Sequence, residues 1–312
     1  MATSIKFRKM VMLSKLETAY GTDPTLTGAT NAILAKNITI SPMEGQDLGR
    51  DLIIPYLGNQ GTIPSGLYAT MQFDTELAGS GTAGVAPAWG PLMRAAGFAE
   101  VLTPTTSVAY NPISDLIESA YMKFWMGSTL HALRGARGTG TVTQDAQGIP
   151  IIRWQFWGLY VDPTEATPAV PTLTAFKKPL VVSKANTPTF TVNAVPLVMR
   201  NFSLDFACQV EPRLLVNSES IELVDRAERI NMTVEAVPVT TLDVYGLAKA
   251  QTTVAANIVH GTAAGNICTI VAPACQILRP TGYQNNQGVA EWPLVLAPQP
   301  VVGNDQFTLT LT

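Results

Sequence analysis

Two histidines and three cysteines set the first limit on the chemistry open to this chain. His131 and His260 each lie in an apolar, strand-like stretch with no Cys, Asp or Glu at ligand spacing. Imidazole acid–base work and a His-rich metal site therefore both lack their parts. Cys208, Cys268 and Cys275 form no metal spacing and leave an odd thiol. They read as small buried residues of a reduced compartment. Two carboxylates can act together on a glycoside, and the acidic pairs here are Asp74/Glu76 and Glu219/Glu222. Asp74 and Glu76, however, share one face of one strand, which suits a solvated or pore-lining edge. GSGTAG at residues 79–84 lacks both the Gly-Lys-Ser/Thr ending of a phosphate loop and the GxGxxG spacing, so it reads as a hinge. Arg134, Arg137, Arg153, Lys177 and Lys178 are scattered and not interleaved with aromatics as single-strand binding requires. No catalytic residue, metal or cofactor is expected, and no recognition helix is present.

The elements that would position these residues are mostly strands. Met71, Phe73 and Thr75 alternate with Gln72, Asp74 and Glu76, so Leu67–Leu77 is a strand with one polar face. It runs through the glycine hinge into a short amphipathic helix, Trp89–Phe98. There Trp89, Leu92 and Met93 recur at helical spacing, and Gly97 suits the left-handed stop. Strands are also expected over residues 8–16, Ile33–Met43, Ser107–Pro112, Ala120–Met126, Thr129–Leu133 and Ile151–Val161. LRGARGTGTVTQDAQG, which follows the last Thr129–Leu133 residues, reads as a turn-rich excursion. Glu44–Gly66 holds Asp47, Arg50, Asp51, Leu52, Ile53, Ile54 and Tyr56 between flanking strands. A segment this long with an apolar centre reads as a hairpin whose tip binds another molecule; the alternative is a lid over its own domain.

Composition agrees with many short strands: 14 % charged and 46 % hydrophobic residues, with 24 Gly and 22 Pro in 312 residues. The net charge of −3 does not suit wrapping duplex DNA. No apolar run approaches the ~18 residues a membrane-spanning helix needs. The opening MATSIKFRKMVML lacks the apolar core and cleavage site of a signal peptide. The second half also echoes the first. VMLSKLETAYGTDPT is echoed by LVVSKANTPTFT, LAKNITISP by VMRNFSLDF, and LYATMQFDTEL by RINMTVEAV. The helix is echoed by LDVYGLAKA, and the 128–160 hairpin by ACQILRPTGYQNNQGVAEWPLVLAP. TLTAF at 172 is echoed by TLTLT at the end of the chain. A tandem duplication follows, with units 1–176 and 177–312.

LSKLETAYGTDPTLTG together with ELAGSGTAGVAPAWGPLMRAAGF resembles the tail tube (major tail) proteins of long-tailed bacteriophages. The resemblance implies tandem β-sandwich/barrel units, each flanked by one short helix, whose rings close a continuous barrel and stack into a tube. It implies that Asp47, Arg50, Asp51, Leu52, Ile53, Ile54 and Tyr56 contact the next ring. Trp89, Leu92, Met93 and Phe98 would pack the helix on the barrel, and Asp74, Glu76 and Glu235 would face a lumen. Viral DNA would pass through without specific binding. A two-unit chain would form a trimeric, pseudo-hexameric ring, a hexamer being the alternative. Tail terminator, tape measure and distal tail proteins would be its partners, in a virion tail assembled in the host bacterial cytoplasm. The competing readings are a capsid or decoration protein, or a type VI-like secreted tube protein.

Overall fold

The structure is a computed structural model that describes residues 4–312. The first half contains β1 (Met10–Leu16), β2 (Lys36–Gly49), β3 (Thr62–Glu76), β4 (Phe98–Thr103), β5 (Ser107–Pro112), β6 (Ala120–Met126), β7 (Thr129–Asp145), β8 (Ile151–Leu159) and β9 (Thr164–Glu165). Its helix, α1 (Gly90–Ala95), lies between β3 and β4. The second half contains β10 (Thr189–Val192), β11 (Val195–Pro196), β12 (Met199–Asp205), β13 (Cys208–Leu215), β14 (Ser218–Arg226), β15 (Arg229–Glu235), β16 (Thr253–His260), β17 (Cys268–Ile277), β18 (Gln284–Asn286), β19 (Val289–Pro298) and β20 (Thr308–Leu311). Its helix, α2 (Val244–Ala250), lies between β15 and β16. The chain is mainly β, and its pairings are antiparallel.

Strand order repeats between the halves. In the first, neighbours run β2–β3–β8–β7–β6–β1. In the second they run β12–β15–β19–β17–β16–β10. A β-bulge recurs at the same place. Ala120↔Ala136 is followed by Met122↔Leu133, and Val254↔Cys275 by Ala256↔Ala272, each leaving one extra residue on the longer strand. Register matches as well: Thr39 faces Gln72, which faces Gln155, while Ser203 faces Asn231, which faces Val295. One echo is displaced. The partner of β6 is β1 and that of β16 is β10, so LVVSK at 180–184 lies outside the strand that corresponds to β1.

Three expectations are corrected by packing. Residues 134–145 are not an excursion but the continuation of β7, a 17-residue strand. Its glycines meet aromatics, not turns: a Cβ on Gly140 would come 2.9 Å from the Trp154 ring and 3.0 Å from Phe206. The helix is shorter than Trp89–Phe98, because Pro91 sits in its first turn and Gly97 at φ +85° ends it, leaving Phe98 to begin β4. Within Glu44–Gly66, Asp47 and its neighbours up to Gly49 belong to β2, and Thr62–Gly66 to β3.

The halves share one core. Trp154 contacts Phe206 at a centroid distance of 6.2 Å, and Phe98 meets Phe206 at 4.8 Å and Phe307 at 5.5 Å. The 79–84 hinge serves this junction. Gly81 N donates to Gly265 O at 3.0 Å, and a Cβ on Gly79 would lie 2.0 Å from that carbonyl. The glycines are there for close backbone approach between halves.

Candidate assembly surfaces

The β2–β3 hairpin carries its outer residues away from the core as an arm. Beyond Tyr68 its residues are half-buried or exposed, and its tip spans residues 50–61. The tip holds itself: Gln60 Oε1 accepts from Leu52 N at 2.7 Å, and Gln60 Nε2 donates to Leu52 O at 2.6 Å. Ile53 and Leu57 are fully exposed, and Tyr56 is 71 % exposed. Arg50, Asp51 and Leu52 are also exposed, while Ile54 is half-buried. This apolar tip is not folded over its own domain.

The corresponding hairpin of the second half behaves differently. After β12 the chain turns at Phe206–Ala207, and β13–β14 folds back onto the first half. Ile221 is fully buried and its N–H donates to Tyr20 Oη at 2.6 Å. Its carbonyl accepts from Arg137 Nη1 at 2.8 Å, and Arg137 also pairs with Glu222. Arg226 donates to the carbonyls of Gly97 and Ile113. Glu219 lies 3.9 Å from Arg134. The Glu219/Glu222 pair is thus engaged with separate arginines and is not a free carboxylate couple.

The sheet β2–β3–β8–β7–β12–β15–β19 presents one face to the core and one polar face. Along the core side run Met71, Phe73, Trp154, Phe156, Val142, Leu204, Ile230, Met232 and Leu294, all buried. Across the other face one row reads Thr39, Gln72, Gln155, Thr139, without a charge. The next reads Lys36, Asp74, Arg153, Thr141, Asp205, Arg229, with alternating sign. Asp74 is only 4 % exposed; it accepts from Asn37 Nδ2 at 2.8 Å and lies 3.4 Å from Arg153 Nε, whose side chain is 67 % exposed. The outward charge at that point is therefore the cation. Glu76 and Glu235 are half-buried. Glu235 faces Glu291, which Arg200 Nε holds at 2.7 Å and Asn286 Nδ2 at 2.6 Å. The hydrogen bond from Arg200 keeps the Glu291 carboxyl below its usual range.

Trp89, Leu92, Met93 and Phe98 are all buried, and Trp89 Nε1 donates to Ala78 O at 2.9 Å, which ties the start of α1 to the hinge. In α2, Asp243 Oδ1 caps Gly246 N at 2.8 Å. Leu242 and Val244 are buried while Tyr245 is partly exposed. His260 is buried between Thr187 Oγ1 and Leu180 O, and burial lowers its pKa. All three cysteines are buried and unpaired. No cluster of three metal-ligating side chains occurs among the described residues, and none of their helices is long and apolar enough to cross a membrane.

Sequence reasoning missed Gln155, Thr141, Ser203 and Asn231 as parts of the polar face. The alternation of Arg153 and Gln155 with Trp154 and Phe156 was a usable signal for the first of these. A family model described as phage tail tube protein matches residues 8–308. No curated protein matches the chain.

Proposed function

Since the chain belongs to the phage tail tube protein family, matched over residues 8–308, we propose that copies of it close into rings around a DNA channel and that the rings stack through the β2–β3 arm. It is a structural component of the virion tail. The observation that carries the proposal is the β2–β3–β8–β7–β12–β15–β19 sheet, continued by β18, with a core face, a polar face and open edges at β2 and β18. An open sheet edge is satisfied by another strand, and closure of the sheet removes it.

In this reading the polar face lines the channel. The Gln72 row is uncharged, the Asp74 row alternates in sign and the Glu76 row carries a single half-buried carboxylate, so the face offers DNA neither a cationic track nor a strongly repulsive wall. Two tube units in tandem, 1–176 and 177–312, would let three chains supply six units to a ring. The repeated strand order and repeated bulge support that count. The exposed Ile53, Tyr56 and Leu57 support a stacking role for the arm, because contiguous exposed apolar groups mark contact surfaces. Rings would then meet the tail terminator, the tape measure and the distal tail proteins at the ends and inside of the tube.

Electron microscopy of the purified chain, with its mass in solution, tests this reading. Rings or tubes with threefold-related subunits are expected at high concentration. A chain that remains monomeric at all concentrations and salts overturns it.

A further inference from the structure

Two strand pairings join the halves, β7–β12 and β5–β20, and the parts of the first recur at the β2 and β18 edges of the sheet. Inside the chain, β12 pairs with the second half of β7: Asn201↔Asp145, Ser203↔Thr143, Leu204↔Val142 and Asp205↔Thr141. The counterpart of β12 is β2, which pairs with β3 alone and is otherwise open. The counterpart of the β7 segment is β18 with the residues before it. Thr143 faces Ile151, which faces Glu76; Gln284 faces Glu291, which faces Glu235. β18 pairs with β19 alone.

We infer that β2 of one copy pairs antiparallel with residues 282–286 of a second copy, in the register of the internal junction. Thr39 then faces Gln284, and Ile40 covers Tyr283. This deepens the ring reading and rests on it. The two edges are complementary in what they leave open: Thr39, Gln284 and Asn285 are exposed, and Tyr283 is a 60 % exposed aromatic beside Trp292.

A second feature points the same way. In the internal junction the residues after β12 fill the gap between α1 and β7: Phe206 N donates to Gly140 O at 3.0 Å, and Cys208 N to Thr139 Oγ1 at 3.1 Å. The matching gap between α2 and β17 is an open cleft of about 360 Å³ lined by Tyr245, Lys249, Gln276, Leu278 and Pro280. Pro42–Glu44, at the register break within β2 between Ser41 and Glu44, corresponds in position to Phe206–Cys208 after β12, and Met43 is 52 % exposed. The partner's Pro42–Glu44 segment is the occupant of that cleft.

The contact joins different surfaces on the two copies, so it propagates head to tail and closes a ring. A chain carrying Thr39→Cys and Gln284→Cys tests it. The natural thiols are all buried, so mild oxidation should give a ladder of disulfide-linked chains ending in a closed species. Each single variant, and Thr39→Cys with Thr252→Cys, should give none. Separately, Thr39→Lys with Gln284→Lys should abolish ring formation while the far-ultraviolet spectrum stays unchanged, and Thr39→Lys with Gln284→Asp should restore it. Rings or tubes that form without cross-linking and tolerate the double lysine chain overturn this contact and leave the tube reading standing. A chain that neither cross-links nor assembles under any condition overturns both.

Discussion

Gly140 shows how much a single residue carries here. Its missing side chain lets Phe206, from the second half, rest against Trp154 of the first. Gly140→Val would place a branched side chain where even a Cβ comes within 3.0 Å of two rings. The expected cost is about 1–3 kcal/mol, typical of overpacked cores, read as a lower urea midpoint with unchanged slope. Glu228 acts through charge. It is buried, one carboxylate oxygen has no partner, and desolvation raises its pKa above the ordinary 4.5. The folded chain thus holds this proton more tightly than the unfolded chain. Its contribution to stability is greatest below pH 4.5 and declines as pH rises through the folded value. Glu228→Gln should remove that decline and raise the neutral-pH melting temperature, as thermal unfolding across pH 4–8 would show. A flat difference between the two proteins across that range would contradict the assignment.

At the scale of elements, legibility in the sequence depended on whether the cause was local. Residues 67–77 and 151–161 alternate because each strand has a core face and a polar face, and that alternation is written along the chain itself. The glycines of β7 carry no such mark: they suit aromatics that approach from another strand, so locally they resemble turn residues. The echo at 180–184 misled for a related reason, since side-chain similarity over five residues does not determine which strand pairs with β16. Asp74 was legible as a polar-face residue, but its cover by Arg153 comes from a partner 79 residues away. The arm was legible because exposed apolar residues in a long hairpin are costly unless something covers them. Ile53→Ser with Leu57→Ser should therefore leave the monomer's circular dichroism and melting temperature unchanged, because neither side chain packs on the body. Tube length in negative stain should fall sharply. A destabilised monomer would instead show that the tip packs against its own chain.

At the scale of the molecule, the charge pattern of the polar face bears on how DNA moves. A wall that bound phosphate would hold the duplex through displaced counterions, and that hold would weaken steeply with salt. Gln72, Gln155 and Asn231 face outward in positions without charge, next to a row in which Asp74 and Arg153, then Asp205 and Arg229, offset one another. Replacing all three with lysine adds three positive charges per chain without touching the core side of the sheet. If this face lines the channel, tubes of the triple variant should still form but should retain duplex DNA at low salt. Viral particles built from it should eject DNA more slowly, recovering as ionic strength rises. The same substitutions on an outer surface would leave ejection unchanged and make whole tubes bind DNA externally, which gel shift with capped tubes distinguishes. Ejection kinetics across a salt series therefore reads which face of the sheet the DNA meets, independently of how many chains close the ring.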